Sequence, residues 1–185
     1  MIPDKIINWL LSGDVSIEYQ TRRDLLNSDQ SRLRERIAAE GWGAGLLSLR
    51  REDGHWGRAY YQPKWTSTHY TLLDLKNLAI SPFNKSIRRT VQIVLETEKG
   101  TDGGINPSTT IKQSDVCMTG MFLNVAAYFR AEERTLRSIV EFILSQRLND
   151  GGFNCQFNRS GAVHSSLHST ISVIEGISEY ARHGY

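Results

Sequence analysis

The chain has 185 residues, 39% hydrophobic and 23% charged, with 22 basic and 20 acidic side chains for a net charge of +2. That length suits one domain with a sizeable core. Mixed charges along the chain argue against a nucleic-acid footprint, and no run approaches the roughly 20 apolar residues that a membrane-spanning helix requires.

The first segment, MIPDKIINWLL, carries a single lysine and an apolar stretch broken by Asn8, without a small-residue cleavage site. It reads as a poor secretory signal, so a cytoplasmic location is expected. From Pro3 to about Arg50 the pattern predicts three or four helices of weak repeat character, an atypical cap over 1–50. Arg32, Arg34 and Arg36 interleave with Glu35 and Glu40 there, as on a solvated helix face.

From residue 51 to 185 the chain repeats. Asp-Gly stretches occur at Asp53, Asp102 and Asp150, spaced by 49 and 48 residues. Each is followed by a polar loop and a predicted helix, beginning near Trp65, Ser114 and His164; amphipathic helices from Ile87 and Thr135 lead into the second and third stretches. The unit is helix, Asp-Gly turn, loop, helix. A single such hairpin cannot bury its apolar faces, so neighbours must stack as a solenoid or close into a barrel of paired helices.

Aligned on Thr71, Thr119 and Thr170, the last three predicted helices carry His69, Cys117 and His168 at one register position. The chain has two cysteines, Cys117 and Cys155. In a protein without a secretory signal these read as free thiols or metal ligands rather than a disulfide.

The LSQRLNDGGFNCQ segment around Gln146, with HST opening the following helix, resembles the repeat of protein prenyltransferase β subunits and squalene-type (terpenoid) cyclases. The resemblance spans roughly Leu49 to Tyr180 and implies an all-α protein, an α/α toroid-like array of helical hairpins. The acidic cluster with which squalene-type cyclases protonate their substrate has no counterpart here. Protein prenyltransferases carry Lys-x-x-Asp-x-Cys at a helix start and a later histidine, and Lys112, Asp115 and Cys117 follow that pattern, with His168 lying 51 residues beyond the cysteine. By resemblance Asp115, Cys117 and His168 bind zinc, and Lys112 contacts an isoprenoid diphosphate.

Three protein ligands and one open position define a catalytic zinc site. Cys155 or His164 as a fourth ligand would close it and make it structural. Without metal, Cys117 is a small buried residue, Asp115 a helix cap and His168 a core histidine. Lys64 and Trp65 are further candidates for binding an anionic prenyl substrate, Lys64 preceding His69 by the interval that separates Lys112 from Cys117. Two departures concern the diphosphate: Thr109 stands where the family has arginine, and Met118 where it has tyrosine.

The expected hairpins are too few for a closed ring. Either the arc stays open, or a second copy completes it, or the chain is part of a longer protein; an open arc exposes apolar faces and favours self-association. The sequence thus leads to an isoprenoid- or lipid-handling protein with zinc, or to a non-catalytic lipid- or protein-binding scaffold of the same architecture.

Overall fold

The computed structural model describes residues 2–108 and 110–185. All regular structure among them is helical apart from two isolated bridges, so the protein is all-α. Its contacts divide it into two units, Met1–Asn84 and Lys85–Tyr185.

The first unit holds α1 (Asp4–Leu11), α2 (Val15–Leu25), α3 (Ser31–Arg36), α4 (Gly41–Ser48), a 3-10 turn at Lys64–Thr66 and α5 (Thr68–Asn77). Asp14 caps α2 by accepting the Ser16 N–H, and its second oxygen accepts the Trp42 N–H at 2.9 Å, joining the starts of α2 and α4. Tyr19, Ile37, Tyr60, Leu72 and Leu75 form a core that excludes water almost completely.

The second unit holds α6 (Lys85–Thr97), α7 (Val116–Tyr128), α8 (Glu133–Ser145), the single-turn α9 (Phe157–Ser160) and α10 (Leu167–Arg182). Helices α6 and α8 bury one face each, through Ile87, Val91 and Val94 and through Leu136, Ile139 and Ile143, as their i, i+3/i+4, i+7 spacing dictates. Helix α7 is different: it is buried almost all round, and it lies directly against α10. At their crossing a Cβ on Gly176 would stand 2.4 Å from the Gly120 carbonyl oxygen, so the two backbones touch where side chains would otherwise hold them apart. Asn124 Nδ2 adds a hydrogen bond to the Glu175 carbonyl at 3.0 Å.

The Asp-Gly turns share one design. Gly54, Gly103 and Gly151 all have φ near +90°, a conformation that other residues avoid and that turns the chain back after the preceding segment. In the second unit each aspartate then reaches across the loop. Asp102 accepts the Ser114 N–H and hydroxyl, and Asp150 accepts the Ser165 N–H and hydroxyl. The carboxylates thereby fix the chain shortly before α7 and α10 begin.

Hydrogen bonding also sets the true register of the repeat. Thr119 Oγ1 accepts the Ile105 N–H at 2.9 Å and Thr170 Oγ1 accepts the Phe153 N–H at 3.0 Å; the hydroxyl that does this after the first turn is Thr68, taking the Trp56 N–H at 2.9 Å. The expected alignment on Thr71 is therefore displaced by three residues. Cys117 and His168 remain equivalent, but their counterpart in the first unit is Thr66, and His69 falls in register with Gly120. His69 is buried and hydrogen-bonded to the Tyr60 hydroxyl at 2.7 Å, with Tyr61 and Tyr70 packed edge-on around it.

Candidate metal centre

The start of α7 is where chemistry-bearing side chains meet. Asp115 is the N-cap: its Oδ1 accepts the N–H groups of Cys117 and Met118, each at 3.1 Å, which satisfies two donors that the helix cannot pair internally. Cys117, the second residue of the helix, points its thiol back to the same carboxylate, the S–H donating to Oδ1 at 2.9 Å.

Cys155 comes to this point from the third Asp-Gly turn. Ser169 Oγ on α10 accepts its N–H at 3.0 Å, two residues after Thr170 has taken the N–H of Phe153. The side chain of Asn158 on α9 donates to the Ser114 carbonyl at 3.0 Å, and Arg159 reaches the Asp115 carboxylate at 3.3 Å and the Gln113 carbonyl at 3.4 Å. Helix α9 is thus pinned to the segment entering α7, with Cys155 just ahead of it. One carboxylate oxygen of Asp115 and the sulfurs of Cys117 and Cys155 all lie within 4.8 Å of one another, and all three residues are half-buried.

Burial, reinforced by the adjoining Asp115 carboxylate and the Cys155 thiol, pushes the Cys117 thiol far above its ordinary range. Left to protons alone, Cys117 is a thiol hydrogen-bonded to a carboxylate. A cation held by these donors would invert that preference, because it would stabilise a thiolate directly.

The remaining expected site residues lie elsewhere. His168 is exposed in the first turn of α10 and is not part of the group of donor atoms within 4.8 Å. His164 is exposed, and its carbonyl accepts from Asn154 Nδ2 at 2.8 Å. Lys112 is exposed in the loop before α7, its carbonyl held by Asn106 Nδ2. Lys64 and Trp65 belong to the first unit, where the ammonium lies 4.8 Å from the indole centroid and Trp65, 71% exposed, packs on Tyr70. Thr109 lies outside the described residues.

Arg159 is the charged neighbour that sequence reasoning passed over. Nothing in the local pattern NRSG marks it, since its contact with Asp115 spans 44 residues and depends on the path of the loop from Asn154 to Ser166.

Each unit also carries an apolar groove. In the second, a cavity of about 390 Å³ is lined by Leu144, Phe153, Val173, Ile174 and Ile177, with Arg147 and Ser178 as its polar members. In the first, one of about 670 Å³ lies between Ile17, Trp42, Leu46 and Leu78, with Gln20 and Asp74 among its walls. Burial raises the Asp74 carboxyl above the usual range. No helix among the described residues is long and apolar enough to cross a membrane.

The class of protein these features define is an all-helical repeat protein with a thiol-carboxylate cluster able to hold a metal ion. No protein-family model matches the chain, and no curated protein matches it.

Proposed function

We propose that the protein is a zinc-dependent, isoprenoid-handling protein of prenyltransferase and terpenoid cyclase type, with Asp115, Cys117 and Cys155 as its zinc ligands. The observation that carries this reading is the meeting of one carboxylate and two sulfurs within 4.8 Å. Two thiolates and a carboxylate match the preference of a borderline-soft ion in tetrahedral surroundings far better than that of calcium or magnesium, which take oxygen donors. Charge supports it too: three anionic donors and a divalent ion leave one negative charge, and the Arg159 guanidinium against Asp115 offsets it.

Three protein ligands leave a fourth position for a ligand from outside. Zinc bound in this way supplies a Lewis acid that holds a water or a thiol in its deprotonated, nucleophilic form. The chain's own residues do the rest. Asp115 is held in place by two backbone N–H groups, so it would bind an ion with little reorganisation, and Arg159 pairs with the same carboxylate. The groove of Leu144, Phe153, Val173, Ile174 and Ile177 offers an isoprenoid chain an apolar wall, with the Arg147 cation at hand for a diphosphate. Phe153, on that wall, is two residues from Cys155.

A second reading has its own observation. The half-buried donors tie the start of α7 to the loop before α9, as a structural zinc would, leaving a non-catalytic lipid- or protein-binding scaffold.

Cobalt substitution separates the two. A cobalt-loaded protein whose visible absorption changes on adding a small thiol has an exchangeable fourth position and supports the catalytic reading. A spectrum that does not respond assigns the ion a structural role, and failure of the chain to bind zinc or cobalt at all overturns both. Prenyl diphosphate binding, followed by protein fluorescence with and without Arg147→Met, then tests the substrate class.

A further inference from the structure

Cys117 and Cys155 are the two cysteines of the chain, and the fold brings them together from positions 38 residues apart. We infer that they are a redox pair: a hydroperoxide converts them into a reversible intramolecular disulfide, and the bond ejects whatever ion the cluster holds. The inference rests on the zinc reading for that last consequence, and not for the bond itself.

Three features carry it. The sulfurs start within 4.8 Å of each other and must close to about 2.0 Å, a distance that side-chain rotation and a small loop adjustment can cover. Cys155 sits in irregular chain between the third Asp-Gly turn and α9, outside any helical ladder, whereas Cys117 lies in the first turn of α7. Finally, the Cys117 S–H donates to Asp115 Oδ1, a contact that holds the second sulfur where the three side chains meet.

The steps balance without a further reactant. Cys155, as thiolate, attacks one oxygen of the hydroperoxide; the O–O bond breaks, Cys155 becomes a sulfenic acid, and the other oxygen leaves as water or alcohol once it has taken the thiol's proton. Cys117 sulfur then attacks the Cys155 sulfur, the S–O bond breaks, and hydroxide departs as water with the Cys117 proton. Two thiols lose two electrons and two protons, and the peroxide gains both. The product has lost both thiolate ligands, and a lone carboxylate does not retain zinc.

The test uses the full chain as purified, with hydrogen peroxide as the oxidant. The expected result is an intact mass lower by two hydrogens, a proteolytic fragment joining the Cys117 and Cys155 peptides, and recovery of both thiols with dithiothreitol. Zinc, followed with a chromogenic chelator, should be released in proportion to the disulfide. Over-oxidation of Cys155 to sulfinic acid without a linked peptide, or disulfide only between chains, would overturn the pair. Cys117→Ser should stop the second step, so that the Cys155 sulfenic acid accumulates and can be trapped with dimedone; a variant in which Cys155 yields no trappable sulfenic acid would overturn the proposed order of steps. The two readings fail separately: a disulfide in a protein that never binds zinc keeps the redox pair and removes the metal centre, while bound zinc with no disulfide does the reverse.

Discussion

Thr119 shows how much a single hydroxyl does at this site. It accepts the Ile105 N–H at 2.9 Å and donates to the Asp115 carbonyl at 2.7 Å, linking the Asp-Gly turn to the residue that caps α7. Thr119→Val keeps the shape and removes both bonds in a fully buried setting, so it should cost about 1–3 kcal/mol in urea unfolding. The ligands are tested at the same scale. Cys117→Ser and Cys155→Ser should each lower zinc content well below that of the wild type, measured by metal analysis of protein purified without chelators. His168→Ala should leave zinc content unchanged, because the imidazole lies outside the donor group; a loss of zinc in that variant would restore His168 as a ligand and put Cys155 aside.

Between helices the decisive feature is the contact of α7 with α10. Gly176→Ala places a methyl group 2.4 Å from a backbone oxygen of Gly120, and neither partner can move without separating the helices. Overpacking of this kind costs about 1–3 kcal/mol, and a thermal melt should show the fall. Gly45 provides the contrast. It lies within α4 with no heavy atom within 4 Å of where a Cβ would be, so Gly45→Ala should stabilise the protein by about 0.5–1 kcal/mol, through the helix propensity of alanine alone. The same change in two helices should thus have opposite signs.

For the molecule as a whole, the proposed metal centre predicts a stability that depends on pH in opposite ways with and without the ion. In the metal-free protein the Cys117 thiol titrates above its unfolded value, near 8.5, because burial and Asp115 favour the neutral form. That contribution is fully present below pH 8.5 and is lost as the pH rises toward the folded value, so chelator-treated protein should become less stable between about pH 8 and 10. Zinc binds the thiolate form, so the loaded protein should lose its ion and its added stability on acidification instead. Melting temperatures across that range, with zinc and with a chelator, should diverge as the pH increases. By mass action, free zinc at a thousand times its dissociation constant would add about 4 kcal/mol.

The helices and Asp-Gly turns were legible in the sequence because each is set by neighbours along the chain: a glycine with φ near +90°, apolar residues at helical spacing, a cap one residue ahead of its helix. Asp115 and Cys117 were legible for the same reason, two residues apart at a helix start. The loops between turn and helix were not, since the intervals from Asp53 to Thr68, Asp102 to Thr119 and Asp150 to Thr170 are 15, 17 and 20 residues, and unequal loops leave no spacing to align. Only buried hydrogen bonds show that Thr68, and not Thr71, occupies the shared position. The sequence by itself determined an all-helical chain with recurrent turns and a capped helix carrying a thiol. Which side chain would meet that thiol was decided by tertiary structure, because the Ser169 and Thr170 hydroxyls on α10 and the pinning of α9 direct the third loop so that Cys155 arrives at Cys117 while His168 faces solvent.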